Sequence, residues 1–364
     1  MTSISYRYRN PGLSGMDLWV AQPVAGLTQD QVCLDGESLH PVQIEDVGSG
    51  LVARYHLGPG QTLALDWAFQ PLVAAPLVRG QGAAPSLPEG DRIRYLRVSA
   101  QLSREPEIVA RAHALAAGCE NSVEIAHAFF RALVTEYSYR FPVWHRGALA
   151  MERLRQGDCG QFTVLFCAWC RAVDIPARPV IGTLLAPRRT LPHAWAEFWT
   201  DEQGWVPVDA SLAQARLEPD AFFGRLPADR FAFSYDIDVP LASYGRPVIP
   251  ASFSVYLVQL RFGKRRLAWG AATLNGHVPY FQPAYPRTYS GWGPNFLIAP
   301  EQLGAWREGA LPPAQPGYPR LSALTVIAAT IGFLFHEPVA ALCCLTLGFL
   351  LSALTWRQRR RLMT

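Results

Sequence analysis

At 364 residues the chain is longer than one average domain and ample for a buried core. Its 33 Lys and Arg stand against 29 Asp and Glu, and Arg357, Arg359, Arg360 and Arg361 crowd the extreme end, so the body is near neutral and carries no nucleic-acid footprint. Cysteines at 33, 119, 159, 167, 170, 343 and 344 form an odd set without the regular spacing of a stapled secreted domain, and they read as reduced thiols.

In chain order, the opening segment MTSISYRYRNPGLSG has no apolar run after its arginines, so no cleaved signal is expected and the body is assigned to the cytosol. From Ser3 to about Leu102, short apolar runs are broken by Gly and Pro, as in GSGLVARYHLGPGQTLALDWAF, which predicts small antiparallel strands and a β-rich domain over residues 1–90. Gln81 to Asp91 reads as a loop, after which the period becomes helical. One helix is predicted from Glu105 to Ala117, stopped at Gly118. The next begins at Asn121 as cap, with Glu124 three residues on, and stacks Ile125, Phe129, Phe130, Leu133 and Val134 on one face.

The stretch CGQFTVLFCAWCRAV is apolar on all sides, so it predicts a helix buried at the centre of its domain. IPARPVIGTLL, HAWAEFW, a DEQG turn and WVPVDA follow and read as antiparallel strands packed beside that helix. The expected fold class over residues 91–250 is therefore α+β. A further hairpin is expected from Ser252 to Leu260 and Arg265 to Trp269, within an extension (251–310) of no assigned role, and residues 311–320 read as a linker. Leu321 to Phe335 and Val339 to Trp356 are nearly uncharged runs, which predict a transmembrane hairpin over 321–356 followed by a basic tail, 357–364. Arg320 before the first run and the four arginines after the second put both ends in the cytoplasm, so the body is expected to face the cytosol from the inner membrane.

The chemistry is carried by three residues. Asp158 can cap the buried helix, and Gly157 is read as allowing a sharp entry, so Cys159 falls at the first helical position, where the dipole favours a thiolate. Taken alone, Cys159 reads as a small buried hydrophobe, as most free cysteines are. His193 and Asp209 change that reading, because they flank the DEQG turn. If the turn centres on Glu202, His193 falls opposite Ser211 and Asp209 is its diagonal neighbour, giving a nucleophile, a base and a group that orients the base.

At these positions the sequence resembles the transglutaminase-like superfamily. QGDCGQFTVLFCAWCRAVDIPARPVIG looks like that family's cysteine helix and following strand, HAWAEFW like its histidine strand, and GWVPVDAS like its aspartate strand. The resemblance implies a papain-like core and a triad of Cys159, His193 and Asp209. The activity it implies is thiol-dependent acyl transfer from a protein or peptide carboxamide, to water as a cysteine peptidase or to an amine as a transglutaminase, without metal or cofactor. The competing expectation is a catalytically silent module that holds a peptide at the membrane in the same groove.

Other residues carry plainer readings. Cys167 and Cys170 have C-x-x-C spacing but lie inside the apolar helix, so core packing is expected. Trp195 is a candidate wall of the substrate groove, and Trp144, Tyr139 and Gln156 are candidates for a second oxyanion donor beside the Cys159 amide. Arg178 is expected to pair locally.

Overall fold

The computed structural model of the chain describes residues 2–9, 15–75, 86–99, 101–140, 147–186, 189–214, 218–237 and 239–240, together with short strand pieces between 260 and 307. The expected transmembrane hairpin lies outside the described residues. No described helix is long and apolar enough to cross a membrane.

The N-terminal strands are β1 (Thr2–Arg9), β2 (Met16–Gln22), β3 (Gln29–Glu37), β4 (Gln43–Asp46), β5 (Leu51–Leu57) and β6 (Thr62–Pro71). One sheet orders β1, β6 and β3 and a second orders β2, β5 and β4, so alternate residues such as Leu63, Leu65, Trp67 and Phe69 meet Leu18, Val20 and Tyr55 in one core. The short strand pieces Ala284–Thr288 and Trp306–Arg307 add to β2 and β1. Of the further hairpin expected, Leu260–Phe262 pairs with Arg265–Trp269, and residues 252–259 lie outside the described residues.

Helices α1 (Glu89–Leu96), α2 (Pro106–Ala116) and α3 (Ser122–Glu136) follow. The Asn121 side chain accepts from the amides of Val123 and Glu124, as its position before the apolar face predicted. Short strands β7 (Ser138–Tyr139) and β8 (Gln156–Gly157) pair in parallel on either side of α4 (Ala148–Leu154), and β8 leads directly into α5 (Cys159–Ala172). Helix α5 is the centre of the second core: every residue from Gly160 to Ala172 is buried, and Trp169 packs on Phe129 and Tyr137. Burial of side chains this size stabilises the fold by about 1.5–3 kcal/mol each. Cys167 and Cys170 are wholly buried in that core, where desolvation pushes both thiols far up.

Beside α5 runs an antiparallel sheet ordered β11 (Gly204–Val208), β10 (Arg189–Thr200), β9 (Ala177–Ala186) and β12 (Arg230–Tyr235). Ala194, Ala196 and Phe198 join the core around α5, whereas Trp195 joins a separate cluster with Val180, Leu226, Ala232 and Tyr235, the alternation that puts successive residues on opposite faces. The sheet also packs against the N-terminal unit. Phe231 and Phe233 of β12 lie in the sandwich core, and buried Gln29 donates to the Ala232 carbonyl at 2.9 Å while accepting from the Ala232 amide at 2.6 Å. The two units therefore share a core at β12, although the change in sequence period near residue 90 suggested separate domains.

Candidate active site

The β10–β11 hairpin has Ala196 opposite Val208 and Thr200 opposite Gly204, a register that centres the turn on Glu202. The ladder ends at Val208, and Asp209 then caps the short helix α6 (Ala210–Ala213) by accepting from the Leu212 amide. Leaving the strand there turns the Asp209 carboxylate back towards β10, where its Oδ2 lies 2.7 Å from His193 Nε2. His193 is 8% exposed and Asp209 1%.

Asp158 caps α5, its Oδ1 accepting from the Gln161 amide at 3.1 Å, so Cys159 occupies the first helical turn, where backbone amides have no carbonyl partner within the helix. Its side chain is partly exposed, unlike the rest of α5, and it lies near enough to the His193 imidazole to raise that ring's pKa. With Nε2 committed to Asp209, the ring nitrogen left for the thiol is Nδ1. Gly157 has a different role from the one its position suggested. Its φ is not positive, but a Cβ there would meet the Cβ of Gln161 at 2.5 Å and the Met151 sulfur at 2.6 Å, so the glycine permits close packing at the helix entry.

The charges oppose one another in an instructive way. Burial acts to lower the His193 pKa, but the Asp209 carboxylate and its hydrogen bond, with a contribution from nearby Cys159, outweigh it and lift the value from 6.5 to about 10. For Asp209, burial acts upward, and the His193 charge and hydrogen bond followed by the Arg230 charge hold it well below the usual carboxylate range. At neutral pH the arrangement is an imidazolium on a carboxylate, with Cys159 close by. A ring held in this way can pass a proton to and from a group on its free side.

Sequence reasoning overlooked two side chains here. Arg230, 0% exposed at the start of β12, donates from Nη1 to Asp209 Oδ2 at 3.0 Å and from Nε to Asp229 at 3.1 Å. Gln161, 1% exposed in the first turn of α5, accepts from the Gly147 amide at 3.0 Å and so ties the chain before α4 to the cysteine helix. The signals were a charged residue opening the apolar strand RFAFSY and a polar one inside an otherwise apolar helix.

The groove candidates separate. Trp195 is 1% exposed, so it does not wall an open groove; its ring stacks beside His193 with centroids 6.3 Å apart and backs the imidazole from within. Tyr139 is 52% exposed and pairs through its backbone with Gly157, next to the turn into Cys159. Gln156 adjoins it, its side-chain oxygen accepting from Arg140 at 2.7 Å. Trp144 lies outside the described residues. Arg178 pairs locally as expected, two of its nitrogens donating to Glu197 at 2.8 and 2.6 Å while its guanidinium lies 3.9 Å from the Trp205 ring and 4.4 Å from that of Tyr235. Among the described residues no His, Cys, Asp and Glu cluster is placed to hold a metal ion.

Residues 109–210, which span the cysteine helix, the histidine strand and the aspartate, match the family model of the transglutaminase-like superfamily. The chain carries a transglutaminase-like domain. Over 76 residues it is 34% identical to the protein-glutamine gamma-glutamyltransferase of Pseudomonas aeruginosa, a stretch that is 18% of this chain but only 11% of that curated relative's length. Solved structures similar to it include a candidate cysteine protease from Cytophaga hutchinsonii, 21% identical with a TM-score of 0.45, covering 62% of this chain and 81% of the other. The periplasmic domain of TgpA from Pseudomonas aeruginosa is also similar, 19% identical with a TM-score of 0.36 over 61% of this chain and 90% of the other. The matched region of the transglutaminase-like domain holds Cys159, His193 and Asp209, whereas Arg230 lies beyond it.

Proposed function

We propose that the transglutaminase-like domain is a thiol acyltransferase acting on carboxamides of proteins or peptides, with Cys159 as nucleophile, His193 as acid and base, and Asp209 as orienter. The observation that carries this reading is an imidazole held by a buried carboxylate at 2.7 Å beside the partly exposed Cys159 at the start of α5. The thiolate attacks the carbonyl carbon and forms a C–S bond. His193 then gives its proton to the departing nitrogen as the C–N bond breaks, leaving a thioester. Water or an amine attacks the thioester next, losing its proton to His193 as the sulfur leaves.

Hydrolysis is placed first because water needs no binding site of its own. The name of the Pseudomonas aeruginosa relative favours the second outcome, transfer from a glutamine side chain to an amine. An intact-mass measurement after brief mixing with glutamine-containing peptides and a labelled primary amine tests both. An acyl adduct on Cys159 supports the reading, and its fate, label incorporated or peptide cleaved, separates the outcomes. No adduct, combined with iodoacetamide labelling of Cys159 that is equally slow in wild type and His193→Ala, would leave the peptide-binding module.

We propose also that residues 321–356 hold this domain at the inner membrane with the body on the cytosolic side, on the strength of the arginines outside both apolar runs. A reporter fused after Thr364 is expected in the cytosol; finding it on the far side would overturn the topology.

A further inference from the structure

We propose that Arg230 is a positioning residue for the triad: it locks the Asp209 carboxylate against His193 from inside the sheet, without touching substrate. The inference rests on the triad reading above and adds a residue outside the cysteine, histidine and aspartate segments.

The placement follows from the pairing of three strands. On β9, Gly182 lies between His193 of β10 and Ala232 of β12, and Arg230 stands two residues before Ala232, opposite Leu184. Arg230 thus reaches the histidine's neighbourhood across a strand that contributes no side chain at the crossing. A Cβ on Gly182 would lie 2.2 Å from the Phe231 carbonyl and 2.8 Å from the Trp195 ring, so glycine is what lets β12 and Trp195 close on this point. The guanidinium lies 5.2 Å from the Trp195 ring centroid, and the same indole stacks on His193, so one ring borders both cations.

The acceptor geometry explains what the arginine does. Asp209 Oδ1 takes Ser211 Oγ at 3.0 Å and the Leu212 amide at 3.1 Å, and Oδ2 takes His193 Nε2 at 2.7 Å and Arg230 Nη1 at 3.0 Å. A carboxylate has about four lone-pair sites, and here each is used, so the plane of the group is fixed from both ends. A wholly buried guanidinium must have a counter-charge, and Asp209 supplies it while remaining ionised for His193. Arg230 Nη2 is buried without a hydrogen-bond partner, so this guanidinium is placed for its contacts to Asp209 and Asp229 and not for full satisfaction of its own donors.

A buried arginine that acts through Asp209 should alter turnover and leave substrate binding alone. The test is steady-state kinetics of the full chain, wild type against Arg230→Met and Arg230→Lys, on a glutamine-containing peptide with a labelled primary amine, with folding checked by circular dichroism. In Arg230→Met, kcat is expected to fall about 10- to 100-fold with KM unchanged, by analogy with the loss of an outer partner of a metal-ligating side chain. Arg230→Lys restores a point charge but not the fork, and should recover part of that loss. The far-downfield proton resonance of the His193–Asp209 hydrogen bond should shift in the Met variant and move back in the Lys variant. If the folded Met variant turns over within twofold of wild type with that resonance unmoved, Arg230 is not a positioning residue. If neither variant folds, Arg230 is a stability element only and the proposal is equally overturned. Failure of the triad reading shows separately, as wild-type Cys159 labelling that His193→Ala does not slow.

Discussion

Replacing Asp209 by asparagine removes a charge where four donors converge: His193, Arg230, Ser211 and the Leu212 amide. An amide has one oxygen and an NH2 that only donates. With the oxygen kept towards Ser211 and Leu212, α6 stays capped, but the NH2 meets Arg230 and turns His193 into the tautomer with Nδ1 protonated, facing the thiol it should deprotonate. By analogy with the orienting aspartate of a serine triad, kcat should fall about 10⁴-fold, which is about 5.5 kcal/mol at about 1.36 kcal/mol per factor of ten. Arg230, wholly buried, loses one of its two carboxylates and keeps the half-exposed Asp229, so the cost in stability is at most about 3–5 kcal/mol, a fall in Tm of at most about 6–20 °C for a domain of this size. The pH dependence has a definite sign. Because His193 is raised from 6.5 to about 10, its contribution to stability is complete below 6.5 and is lost as pH rises through about 10. In the variant that contribution is absent, so the Tm gap to wild type should narrow above pH 10, and the alkaline limb of the kcat profile should move towards 6.5. Turnover within tenfold of wild type with the alkaline limb in place would remove Asp209 from the site, and a Tm gap that stays constant to high pH would remove the ion pair.

Cys159→Ala should abolish turnover and the acyl adduct while moving Tm by only a few degrees, since a partly exposed thiol leaves a small void; loss of cooperative unfolding would contradict this. In Gly182→Ala the new Cβ forces β12 and Trp195 apart at the point where they close on His193, which should cost about 1–3 kcal/mol and lower kcat together with Tm, measured by thermal unfolding and kinetics. Glu197→Ala leaves the Arg178 guanidinium buried among Tyr95, Trp205 and Tyr235 without its anion, so chemical denaturation should report a loss of about 3–5 kcal/mol; a change below about 1 kcal/mol would show the pair to be idle.

The sequence by itself determined the parts of this protein whose causes are local. An apolar helix with Asp158 at its head must be central and must present Cys159 at its start, because no face of it tolerates water and its first amides need a cap. The DEQG turn between two alternating strands set the register that carries His193 to Asp209, because a hairpin's turn length decides which residues oppose. Tertiary structure alone decided the rest. Trp195 could equally have faced a groove, since alternation assigns a residue to a face of the sheet but not what covers that face; here a cluster with Leu226 and Tyr235 buries it. Gly157 and Gly182 are required by atoms of other segments that their neighbours in sequence do not reveal. The sandwich and the second sheet share a core through Phe231 and Phe233, and Arg230 enters the site by pairing β12 with β9 on the side away from β11. Strand order is a non-local choice, settled by which faces find a partner once the whole chain is folded, so a charge that reaches the triad through it leaves no spacing in the sequence by which to find it.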